Sequence, residues 1–78
     1  MTVKPNDVEV GKCFVTTTNQ VRRVKNITSD DRIEYESRGG KSSMKWGFGP
    51  PLTALPKREK FAADVDHEVR CDWDEDHQ

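Results

Sequence analysis

Six basic side chains of this 78-residue chain could together bind an anion such as a phosphate backbone. Three lie in the segment VRRVKNIT and three lie in or beside the glycine-containing segment RGGKSS. Lysine and arginine, with the main-chain N–H groups that glycines expose, are the groups that bind phosphate. If the two segments lie on neighbouring strands, the sequence predicts one contact surface for nucleic acid or another polyanion, formed by Arg22, Arg23, Lys25, Arg38, Lys41 and Lys45.

Aromatic residues near this surface could either stack on bases or build the core. The chain has only six aromatic residues and is 32% hydrophobic. A small core needs most of its large apolar side chains, so we expect Trp46 and Phe48 to be buried. An exposed Trp46 would instead favour nucleic-acid binding. Glu34 and Glu36 would pair with arginines across the sheet and dilute the basic surface.

The sequence gives little support for a nucleotide-binding loop, a zinc site or catalysis. The segment GGKSS contains Gly-Lys-Ser, but a Walker-type phosphate loop needs an earlier glycine and a following helix. Zinc ligands usually come in close pairs. The candidate ligands of this chain are isolated, namely Cys13, Cys71, His67 and His77. The spacing of His67 and Cys71 is by itself weak evidence for a zinc site. No catalytic signature is present. We therefore predict no enzyme, no metal and no cofactor.

The two cysteines are predicted to be free thiols. No run of the chain approaches the roughly 18 apolar residues of a membrane span, and no secretory signal begins it. These features predict a cytoplasmic protein without a membrane partner, and thiols stay reduced in the cytosol. Cys13, beside Phe14 and Val15, is then expected to be buried as a small hydrophobe.

Charge is divided unevenly along the chain, although the formal net charge is −1. Up to Lys60 there are twelve Lys or Arg against seven Asp or Glu, and from Phe61 onward one against seven. Such asymmetry is typical of a polyanion-binding body with a competing acidic tail. The favoured interpretation is nevertheless that each charge lies on a solvated surface.

Several short segments have the character of strands. VGKCFVTTT is rich in β-branched residues, and the Asn-Gln pair at 19–20 suits a two-residue turn. Val21, Val24 and Ile27 are spaced by three, which does not exclude a helix. Their β-branched side chains and the flanking turns favour a strand with a bulge. After a turn at 29–32, IEYES and MKWGF alternate, and LTAL at 52–55 could be an edge strand.

The last third of the chain changes period. Phe61, Val65 and Val69 recur every four residues, which predicts an amphipathic helix at about 57–69 that begins after Pro56. Residues 1–9 read as an irregular lead-in, 10–70 as the folded domain and 71–78 as an acidic tail, with Trp73 folding back onto the core.

At the level of strand lengths and turns, residues 8–70 resemble small uncharacterised bacterial proteins with an SH3-like barrel. The resemblance rests on VGKCFVTTTNQVRRVKNI, RIEYESRGG, the Trp-bearing strand and KFAADVDHEV. It implies a mainly β fold, a small SH3-like antiparallel barrel of four to five strands with a C-terminal helix. It implies no particular function.

We predict from these features a non-catalytic interaction module for a protein or peptide partner. Small barrels present grooves and open sheet edges that suit extended chains. The alternative is nucleic-acid binding through the six basic residues. A monomer is the expected state, although the predicted edge strand at 52–55 could pair with a second copy.

Overall fold

Four antiparallel strands form one sheet in the computed structural model, which describes residues 3–47 and 49–76. The strands are β1 (Cys13–Val15), β2 (Val21–Ile27), β3 (Ile33–Arg38) and β4 (His67–Val69), in the order β3-β2-β1-β4. One helix, α1 (Arg58–Asp64), and 3₁₀ turns at Pro5–Asp7 and Leu52–Ala54 complete the chain. The predicted mainly β class is confirmed. No ladder joins β3 to β4 within the described residues, so the sheet is open there.

Both hairpin connections use the same three-residue loop. After β1, the Thr16 N–H donates to the Gln20 carbonyl and the Thr16 hydroxyl accepts the Gln20 N–H. Asn19 lies in the left-handed region, with φ 64°, as such loops require at their last position. Thr28 and Asp31 repeat the arrangement after β2, with φ 66° at Asp31. The predicted two-residue turn at 19–20 is therefore wrong, since Gln20 is already paired.

The predicted bulge in β2 is confirmed. The register between β2 and β3 shifts between Val24 and Asn26. Because of the extra residue, Val24 and Ile27 both face the first cluster described below, whereas Val21 faces the second. Val21 and Val24 are thus three residues apart on opposite faces of the sheet. Val24 and Ile27 are three residues apart on the same face because the bulge lies between them.

Apolar clusters cover both faces of the sheet. On the first face, Phe61 of α1 packs edge-on against Phe14, with 5.8 Å between ring centroids, and against Tyr35 at 5.1 Å. Val3 and Val8 of the predicted irregular lead-in are buried in this cluster. The second cluster has the buried residues Cys13, Val15 and Val21, with Trp46, Val69, Cys71 and Trp73 packed on it.

The predicted helix at 57–69 is too long. Helix α1 ends at Asp64, Val65 is extended, and His67–Val69 form β4 against β1. Residues four apart lie on one side of a strand as well as of a helix, so the repeat of Phe61, Val65 and Val69 did not separate the two. The helix is therefore followed by a final strand. Among the described residues, no helix is long and apolar enough to cross a bilayer.

The two further strands that the sequence predicted are absent from the described residues. In MKWGF only Gly47 pairs with β3, through a bridge to Ser37. Met44, which shares the alternating positions of this segment with Trp46, is 51% exposed. Phe48, predicted to be buried, lies outside the described residues. The predicted edge strand at 52–55 is a 3₁₀ turn instead, because the two prolines before it lack the N–H groups that a ladder needs.

Candidate binding surfaces

A disulfide joins Cys13 of β1 to Cys71, two residues after β4. The prediction of free thiols is therefore wrong. The two cysteines are 58 residues apart, and only the pairing of Cys13 with Val69 across the sheet brings them together. The cytoplasmic location stays a prediction, and disulfides of this kind are more typical of oxidising compartments.

Arg38, one of the six predicted contact residues, lies in the interior and is only 5% exposed. Its guanidinium donates to the carbonyls of Gly39 (3.0 Å), Lys41 (2.9 Å), Cys71 (3.1 Å) and Trp73 (2.6 Å). The planar fork of N–H groups on arginine suits donation to several carbonyl oxygens at once. Arg38 therefore connects the end of β3 and its following turn to the C-terminal residues.

Trp46 is half-buried on the second face, between the core and the surface. The guanidinium carbon of Arg23 lies 4.5 Å from the Trp46 ring centroid, and that of Arg38 lies 5.1 Å from it. Arg23 also forms an ion pair with Glu36, its cross-strand neighbour. Cation–π contacts and the ion pair thus engage both arginines within the fold.

Arg22 lies on the opposite face of the sheet from Arg23, because successive strand residues alternate. It donates to the Gln20 side chain at 2.8 Å, and its guanidinium carbon lies 4.9 Å from the Tyr35 ring centroid. The predicted patch is therefore divided between two faces. Lys25, at the bulge, and Lys45 are both exposed.

The turn after β3, residues 39–42, holds an acidic segment of the chain, residues 74–76. One carboxylate oxygen of Asp74 accepts both the N–H and the hydroxyl of Ser42, each at 2.9 Å. These bonds, with the N–H of Asp76 as a further donor, hold the pKa of Asp74 at about 2, below its ordinary value of 3.8. We call residues 39–42 the anion loop and residues 74–76 the acidic segment.

Lys41, the fifth predicted contact residue, also binds the acidic segment. Its ammonium group pairs with Glu75 at 3.4 Å and with Asp76, and these acids raise its pKa. The Glu75 N–H donates to the Gly40 carbonyl at 2.9 Å. The acidic end of the chain therefore contacts the turn after β3 through Lys41 and Ser42.

Acid should release the acidic segment at an unusually low pH. The depressed pKa of Asp74 means that its attachment to Ser42 is complete above about pH 4 and is lost as the pH falls through about 2. We expect the Ser42 amide chemical shift to titrate with a midpoint near 2, and Asp74→Asn to abolish the titration while Asp72→Asn preserves it. A midpoint near 3.8 would contradict the proposed bonds.

The outer edge of β4 is the second candidate surface. The Val15 carbonyl accepts the Asp66 N–H at 2.7 Å, so Val15 directs its main chain towards β4, where it pairs with His67. Hydrogen bonding alternates along an antiparallel strand. The next residue, Glu68, therefore directs its N–H and carbonyl away from β1, to the open side of the sheet.

A groove of about 500 Å³ lies beside this edge. Its lining includes His67, Glu68, Arg70, Asp72, Trp73 and Asp74. Sequence reasoning missed this site because it placed residues 65–69 on a helix. His67 and Glu68 are exposed and Val69 is half-buried, so no alternation marks this strand, and three residues are too few to establish a period.

Comparison of the chain with protein-family models, with curated proteins and with solved structures found no match. The resemblance to small SH3-like barrel proteins therefore stays a prediction. Within residues 3–47 and 49–76, no three His, Cys, Asp or Glu side chains lie together as metal ligands.

Proposed function

We propose that this protein is a non-catalytic module that binds an extended, basic peptide segment along the outer edge of β4. The observation that supports this proposal is an edge strand whose outward main-chain groups lie beside a groove. An extended peptide can add to such an edge as a further strand, with its own N–H and carbonyl groups completing the ladder. Specificity then comes from the side chains that line the groove.

The charge of the groove favours a partner rich in lysine or arginine. Glu68, Asp72 and Asp74 line it, and Arg70 is paired with Asp72 at 3.3 Å. Glu68 also contacts Lys12 at 3.6 Å, an exposed pair that a partner's cation could replace at little cost. Trp73 supplies the large apolar surface on which the stem of a long basic side chain could pack.

A non-catalytic role agrees with how the reactive side chains are used. Both cysteines, the only thiols available as nucleophiles, are joined in the disulfide. His67 is exposed and contacts its sequence neighbour Asp66 at 2.7 Å. The alternative of nucleic-acid binding through one six-residue patch has less support, because Arg22 and Arg23 lie on opposite faces and Arg38 is buried.

Strand addition predicts saturable binding of an alternating Lys-Val octapeptide, blocked at both ends, in an NMR titration. The outward N–H of Glu68 is the group that such a peptide needs, so Glu68→Pro should weaken binding about tenfold or more by removing it. Glu68→Gln is the matched control: it keeps the N–H, removes the charge and should weaken binding only about two- to threefold.

Changes to the peptide test the same strand pairing from the partner's side. Methylation of alternate main-chain nitrogens should abolish binding, because these nitrogens then have no proton to donate. Replacement of lysine by glutamate should also abolish it through repulsion by the acidic groove. Unchanged binding of the methylated peptide, or by the Glu68→Pro variant, would exclude strand addition at β4.

A further inference from the structure

We infer that the anion loop, residues 39–42, is a binding site for phosphate groups that the chain fills with its own acidic segment. This site adjoins the groove beside β4, because Ser42 and Asp74 also line that groove. Its donors are not the main-chain groups of β4, so the inference does not depend on the proposed peptide binding. It differs from the predicted six-residue patch, in which Arg22 and Arg23 lie on opposite faces of the sheet and Arg38 is buried. Lys41 belongs to both.

Two donors of the anion loop converge on one carboxylate oxygen, and a third donor binds the neighbouring acids. The Ser42 N–H and hydroxyl both reach one oxygen of Asp74 at 2.9 Å, and the Lys41 ammonium group lies against the next two acids. A main-chain N–H, a hydroxyl and an ammonium group are the donors that bind phosphate oxygens in proteins. A phosphate carries more acceptor oxygens than a carboxylate and suits the same donors.

The backbone of the loop permits a close approach by the anion. A Cβ atom on Gly40 would lie 2.5 Å from the Glu75 Oε2 atom and 2.9 Å from the Asn19 carbonyl oxygen. Only glycine leaves the space in which Glu75 now lies, where the Asn19 side-chain amide also donates to its Oε2 at 3.3 Å. Glycine at position 40 therefore allows both the Asn19 main chain and the Glu75 carboxylate to lie close to the loop.

The acidic segment can leave without disturbing the rest of the fold. The residues before it stay attached, because the disulfide holds Cys71 and Arg38 binds the Cys71 and Trp73 carbonyls. An attached competitor acts at an effective concentration of about millimolar. A single phosphate would compete poorly with it, so the natural ligand should carry several phosphates, as pyrophosphate compounds and nucleic-acid backbones do.

Neutralisation of the acidic segment tests the inference directly. The released variant, Asp74→Asn/Glu75→Gln/Asp76→Asn, is compared with Asp64→Asn/Asp66→Asn/Asp72→Asn. Both raise the formal net charge by three, from −1 to +2, but the second leaves the anion loop filled. We expect the released variant to bind pyrophosphate or a 12-nucleotide oligothymidine about tenfold more tightly than the control does, with a shift of the Ser42 amide resonance.

Further variants make the outcome decisive. Lys41→Gln in the released variant should return the affinity to that of the control. Binding of both probes would indicate that the phosphate groups come from a nucleic-acid backbone. Binding of pyrophosphate alone would indicate that they come from a small phosphate compound. Equal affinities of the two triple variants, or no shift at Ser42, would overturn the inference, whatever the β4 peptide experiment shows. Asp74→Asn against Asp72→Asn gives the same comparison if a triple variant does not fold.

Discussion

Reduction of the Cys13–Cys71 disulfide is expected to lower the free energy of unfolding by about 4 kcal/mol. The bond closes a loop with a sequence separation of 58 residues, and the chain-entropy relation gives this magnitude for a loop of that length. Domains of this size are stable by roughly 4–12 kcal/mol. Loss of the bond should therefore lower the melting temperature by about 15–30 °C, as measured by thermal unfolding with and without a phosphine reductant.

The control for this prediction is the Cys13→Ala/Cys71→Ala variant. Its melting temperature should be close to that of the reduced wild type and should not respond to the reductant. The second cluster contains Cys13 and packs against Cys71, so an additional small loss from the missing sulfur atoms is expected in the variant. A reductant effect below about 5 °C on the wild type would show that the closed loop contributes little to stability.

Replacement of Arg38 by Met should lower the free energy of unfolding by about 3 kcal/mol. The change keeps an unbranched apolar side chain but leaves four carbonyls without their guanidinium donor, and each such hydrogen bond contributes roughly 0.5–1.5 kcal/mol net. Arg38→Lys should restore only part of the loss, because one ammonium group cannot reach acceptors on both sides as the arginine fork does. Urea unfolding measures both variants.

Arg70→Met provides the matched control. The Arg70 side chain is 88% exposed and pairs only with Asp72 among the described ion pairs, so its loss should change stability by less than about 0.5 kcal/mol. If Arg38→Met were as stable as Arg70→Met, the buried guanidinium would not hold the C-terminal residues.

Local patterns in the sequence predicted the central part of the sheet. Ile33 and Tyr35 alternate with Glu34 and Glu36, and the structure places the two apolar residues against the first cluster and Glu36 beside Arg23 on the other face. The bulge in β2 followed from the apolar spacing together with the β-branched residues and the flanking turns. These features depend on near neighbours in the chain, and side-chain periodicity reports such order directly.

The sequence by itself determined the mainly β class, the bulged hairpin and the concentration of acid at the C-terminal end. Only the tertiary structure decided that residues 67–69 form a strand. Their apolar repeat fits a helix equally well, and the strand forms because the free edge of β1 offers these residues hydrogen bonds. Through that pairing Cys71 reaches Cys13, Arg38 becomes buried under the following residues, and the acidic segment reaches the anion loop. Contacts between residues 30 to 60 positions apart depend on how the strands are ordered, and no local pattern encodes that order.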